Sequence, residues 1–91
     1  MLYLVVKLEA RKQGLNRNQL QLMSGVTLPL LTRYWNNATT EVRLDALERI
    51  AKALKITSPS HLIMTEREIM ETYGGMEGWH YLMGQDNKDA A

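Results

Sequence analysis

Residues 15–37, LNRNQLQLMSGVTLPLLTRYWNN, decide the fold. They read as two short helices joined by a tight turn at Ser24-Gly25-Val26. Such a turn needs a residue that tolerates positive φ, and Gly25 adopts it without steric cost. Asn16 is a good N-cap for the first of these helices, with Gln19 placed to complete a capping box, and the helix runs to about Met23. Thr27 caps the second helix, and Pro29 falls in its first turn, where a missing N–H costs nothing. Leu20 and Met23 before the turn, with Val26, Leu30, Leu31 and Tyr34 after it, give apolar faces that pack the two helices at a steep angle. The second helix, about 28–36, is thereby turned outward.

Working outward, the residues before this segment read as a helix from about Val5 to Gln13, ended by Gly14 as a left-handed cap. Leu2 to Val6 is apolar and β-branched enough to be a short strand instead, and periodicity does not separate the two. Asn36 to Thr40 is a polar loop. Beyond it, Leu44, Leu47, Ile50, Ala51 and Leu54 recur with helical spacing and predict a fourth helix with one buried face. Ser58-Pro59 reads as a cap followed by proline at the first helical position, opening a short helix through about Met64, with Leu62 and Ile63 closing the core. Thr65 to Glu68 is a second capping box, and Ile69, Met70 and Tyr73 continue a helix as far as Gly74-Gly75. Met76 to Met83 forms a further short helical stretch, and the polar residues after it are expected to be disordered. There is no internal repeat.

The central segment resembles the Cro/cI-type (XRE family) helix-turn-helix, commonly written L-[ST]-Q-x-x-L-A-x-x-[ST]-G-[VI]-[ST]-x-x-x-[IL]-[ST]-R-x-x-N-G. Leu15, Leu20, Ser24, Gly25, Val26, Thr27, Leu31, Thr32, Arg33 and Asn36 match, and RLDALERIAKALKIT resembles the family's next helix. The resemblance covers about residues 4–63. It implies an all-α, lambda-repressor-like five-helix DNA-binding domain over 1–64; beyond the reach of the resemblance, the residues themselves read as a short C-terminal helical extension over 65–84 and a disordered tail over 85–91. Asn37 stands where the family usually has glycine, and asparagine is the next most tolerant residue of left-handed geometry. Gln21 stands where the family has alanine.

On this resemblance, the second of the two helices enters a major groove and duplex DNA is the partner. Arg17, at the start of the helix before the turn, where the family usually has a phosphate-binding glutamine, reaches phosphate, and Gln19 lies beside it in the same turn. Thr27, Thr32, Asn36 and Asn37 supply short polar donors, and Arg43 is placed for a phosphate or narrow minor-groove contact. Arg33 is the candidate for direct readout, since arginine pairs bidentately with guanine O6 and N7. A salt bridge to a helix acid is the bland alternative. Leu28 and Pro29 occupy positions where related proteins carry hydrogen-bonding side chains. Leucine contacts a thymine methyl but donates nothing, which points to T-rich steps and DNA shape, or to a surface moved toward protein partners.

Composition narrows the field. Ninety-one residues make one small domain, marginal alone. The chain has no cysteine, so disulfides and cysteine-based metal sites are excluded, and a cytoplasmic location, bacterial nucleoid-associated or phage-encoded, is expected. The opening MLYLVVKLEARK lacks the pattern of a signal peptide, and no stretch approaches membrane-spanning length. Net charge is only +1, but nine Lys and Arg face four acids through Thr57, whereas two face six from Ser58 onward. A basic body with an acidic tail suits a domain that meets phosphate with one part only. His61 and His80 lie in different segments without a neighbouring nucleophile or acid in a recognisable arrangement, so neither catalysis, nor a metal, nor a cofactor is expected.

Two readings follow. The first is a sequence-specific transcriptional regulator, a repressor that binds DNA as a homodimer without touching a membrane. The second is a protein-interaction module on the same fold, such as an antitoxin that grips a partner through its C-terminal segment. Tyr73, Trp79, Tyr81 and Met83 either fold back on the core or form a dimer or partner surface.

Overall fold

Asn16 opens α2 (Arg17–Ser24) through a complete capping box: its side chain accepts from the Gln19 N–H, and the Gln19 side chain accepts from the Asn16 N–H, both at 2.8 Å. The helix ends at Gly25, left-handed at φ 72°. α3 (Leu28–Trp35) follows after Val26 and Thr27, with Pro29 in its first turn. Thr27 holds the N-cap position in extended geometry, but its side chain makes no capping hydrogen bond, so its hydroxyl has no part in starting the helix. The computed structural model describes residues 1–84, and the expected disordered tail over 85–91 lies outside them.

The remaining elements in chain order are β1 (Leu2–Leu4), α1 (Val6–Lys12), α4 (Leu44–Ala53), a 3-10 turn at Pro59–Leu62, β2 (Ile63–Thr65), α5 (Glu66–Thr72) and α6 (Met76–Met83). The chain is mostly helical, as an all-α helix-turn-helix fold requires. A small antiparallel sheet is added to it, in which Tyr3 pairs with Met64. The helix expected through Met64 therefore stops at Leu62, because Ile63 onward is drawn into extended pairing with β1. Leu62 is buried, as expected, and Ile63 only partly.

Leu20, Val26, Leu31, Tyr34, Trp35, Leu47, Ile50, Ala51 and Leu54 form the core, with Val5 at the cap of α1 and Val6, Leu8 and Ala10 within it. Two apolar residues assigned to packing faces are instead in solvent. Leu44 is 80% exposed, since it begins α4 and the buried seam starts only at Ala46 and Leu47. Met23 is 52% exposed on the last turn of α2. Leu30 is half-buried against the core.

Several helices end in the same way, with a left-handed residue after the cap and a hydrogen bond back across the last turn. Gly14 and Gly74 do this for α1 and α5, whereas Asn37 at φ 53° and Lys55 at φ 59° do it for α3 and α4. The second capping box is present, with Thr65 and Glu68 as its partners. Gly74 and Gly75, both at positive φ, then turn the chain from α5 into α6.

α6 packs back on α1. Gly78 of α6 is buried against Tyr73, where only glycine fits, because a Cβ would collide with the Tyr73 carbonyl oxygen. Lys7 is 1% exposed, and its ammonium donates to the Tyr81 carbonyl at 2.9 Å and the Gly84 carbonyl at 2.8 Å, satisfying the end of α6.

Candidate nucleic-acid interface

The sequence of α3 divides cleanly between two faces. Leu31, Tyr34 and Trp35 are buried, anchoring the helix on the core. Leu28, Pro29 and Arg33 are exposed and Thr32 is partly so, forming the outward face. Tyr34 reaches further: its hydroxyl accepts the Arg43 N–H at 2.8 Å and so pins the start of α4 against α3. A buried tyrosine must satisfy its hydroxyl, which was the signal in the sequence for this bond.

Arg33 has no ion-pair partner among the described residues, so the helix-acid salt bridge weighed above is not formed. Arg33 borders a shallow cleft of about 350 Å³ shared with Leu30, Tyr34, Thr39, Thr40, Glu41 and Arg43. Arg43 is engaged: its guanidinium holds the Asp45 carboxylate through two hydrogen bonds at 3.2 and 2.8 Å. Both side chains are largely exposed, so the pair is weak and open to exchange with phosphate. The same bonds from Arg43 hold the Asp45 carboxyl below its usual range.

Arg17 opens α2 and is half-buried, with its Nε enclosed and lacking a hydrogen-bond partner among the described residues. A buried donor without an acceptor is costly, and an anion at the helix start would relieve it. Gln19 is exposed, but its carbonyl oxygen is committed to the capping box. Thr27 is exposed just before α3, and Leu28 is 39% exposed at its first position. Asn36, the cap of α3, is half-buried. The Asn37 side-chain amide is tied to β1: its Oδ1 accepts the Leu4 N–H and its Nδ2 donates to the Leu4 carbonyl.

The C-terminal aromatic residues do not form an open patch. Tyr73 donates its hydroxyl to the Glu9 carboxylate, and burial together with that carboxylate pushes its pKa up. Trp79 meets Tyr3 edge-on at 5.0 Å between ring centroids. The Tyr81 ring lies under the cations of Lys7 and Arg11, 4.6 and 4.3 Å from its centroid. Of the four proposed surface residues only Met83 is classed as exposed, alongside Met76. Lys7, buried and central to this docking, was missed because a lysine in an apolar run reads as a solvated charge. His61 and His80 are both exposed, in the 3-10 turn and on α6.

Two packed helices joined through a left-handed glycine, the second presenting an exposed arginine, have the layout of a helix-turn-helix DNA-binding protein. The family model for the Cro/C1-type HTH DNA-binding domain matches residues 6–68, and the chain belongs to that family. Comparison with curated proteins and with solved structures finds no match. Among the described residues no helix is long and apolar enough to cross a membrane.

Proposed function

We propose that this protein is a sequence-specific transcriptional regulator, acting as a repressor, that reads duplex DNA with α3. The observation that carries the reading is the exposed Arg33 guanidinium, without an ion-pair partner among the described residues, on a helix whose opposite face is buried. A rigid anchor and a free, planar donor are what bidentate recognition of guanine needs. Arg17 at the start of α2 and Arg43 before α4 supply phosphate contacts on either side, with affinity set by counterion release. Leu28 and Pro29 add contact with thymine methyl groups and shape selection in place of further hydrogen bonds.

The protein binds as a homodimer on two-fold related half-sites, and its place of action is the cytoplasm. A partner-gripping role for Tyr73, Trp79 and Tyr81 is the weaker alternative, because the Tyr73 hydroxyl and the Trp79 and Tyr81 rings are already engaged with α1 and β1.

Selection from a random duplex library at two salt concentrations tests this. The expected result is a palindromic site whose half-sites lie about one helical turn apart. Salt-sensitive binding without enrichment would reduce the protein to a backbone binder, and no binding at low salt would overturn the reading.

A further inference from the structure

Asn37 occupies an unusual position for a residue without a place on the outward face. Its backbone at φ 53° closes α3: the Asn37 N–H donates to Tyr34 at 3.3 Å and the Ala38 N–H to the Arg33 carbonyl at 2.8 Å. Its side chain simultaneously takes the Leu4 N–H at 2.7 Å on Oδ1 and gives Nδ2 to the Leu4 carbonyl at 3.0 Å. Val5, the next residue, donates toward β2 through Leu62 at 2.8 Å, so the polar groups of Leu4 face the other, open edge of β1. The amide thus acts as a one-residue strand on that edge. Leu4 is buried, and its N–H and carbonyl would otherwise go unsatisfied.

The recognition helix is in this way clamped at its C-terminal end to a sheet made by the two ends of the domain. Arg33 is the residue whose carbonyl the clamp closes over. A bidentate base contact tolerates little displacement of the helix that presents it. We propose that Asn37 is a positioning residue for DNA reading, which sets sequence discrimination by holding α3 against β1 and does not itself touch the duplex. The inference rests on α3 reading DNA through Arg33.

Two substitutions isolate the clamp. Asn37→Gly keeps the left-handed turn and removes only the amide bridge. Asn37→Asp keeps the shape, but a carboxylate cannot donate to the Leu4 carbonyl. Affinities of each variant for the selected site and for random duplex are measured across a salt series, at a temperature where circular dichroism shows the variant folded. The expected result is about a tenfold fall in the ratio of specific to random binding, with random binding by Asn37→Gly and its salt slope unchanged. In an Arg33→Ala background, Asn37→Gly is expected to lower that ratio no further, because the two act through one contact.

A parallel fall on all sequences, with the salt slope of Asn37→Gly reduced by about one, would overturn the proposal and make Asn37 a phosphate contact. An unchanged ratio would overturn it too. Loss of the fold in both variants would make Asn37 a determinant of folding and not of reading. If the unsubstituted protein selects no site, the DNA reading itself fails, which is a distinct result.

Discussion

Helices α3 and α6 are both eight residues long and both carry aromatic side chains, yet they use them in opposite ways. α3 buries Tyr34 and Trp35 and leaves Arg33 and Leu28 outside. α6 buries Leu82 and Gly78, and its aromatics are consumed by neighbours: Trp79 by Tyr3, Tyr81 by Lys7 and Arg11. The aromatic rings of α6 close a fold, whereas α3 keeps its Arg33 side chain exposed. An aromatic-rich helix is therefore no guide to a binding surface until the partners of its rings are known.

The largest test of this contrast is Trp35→Ala, which removes a fully buried ring and should cost about 3–5 kcal/mol of stability. Trp79→Ala, half-exposed, should cost clearly less in the same urea titration. Equal losses would erase the distinction between the two helices.

Next is Gly78→Ala, whose methyl would collide with the backbone of Tyr73. Overpacking of this kind should cost about 1–3 kcal/mol and loosen α6 from α1. Faster amide exchange across residues 76–83, with α3 unaffected, is the expected pattern. Uniform acceleration would show that α6 and the recognition helix form one cooperative unit.

Arg33→Ala sharpens the other side. It should weaken specific binding by about 1–3 kcal/mol and relax the choice at one base pair, with the melting temperature unmoved. Uniform weakening on every sequence would reduce Arg33 to a phosphate contact.

The smallest effect concerns the Arg43–Asp45 pair. Its hydrogen bonds lower the Asp45 carboxyl from its usual 3.8, so its contribution to stability is present above that value and is lost as pH falls through the lowered one. Both groups are exposed, so the melting temperatures of Asp45→Asn and the parent should differ slightly near pH 6 and converge near pH 2. A difference that persists in acid would exclude charge as its cause.

Much of the fold was legible because its signals are local. Asn16 with Gln19, Thr65 with Glu68, Gly25 at the turn and Pro29 in a first turn each depend on residues within a few positions. The seam of α4 was legible from Leu47 onward by period alone, and failed at Leu44 because periodicity does not say where burial begins. In the candidate interface, the outward position of Arg33 and Leu28 followed from the resemblance to the family's helix-turn-helix. The role of Asn37 did not, since its partner lies 33 residues away.

By itself, then, the chain's order of residues determined the helix-turn-helix, its caps and the outward face of α3, all set by neighbours along the backbone. Only the tertiary structure decided that residues 2–4 are a strand paired with 63–65, that Lys7 is buried at the end of α6, and that the C-terminal aromatics fold inward. Those outcomes depend on which distant groups satisfy one another's hydrogen bonds and apolar surface, and no local pattern encodes that choice.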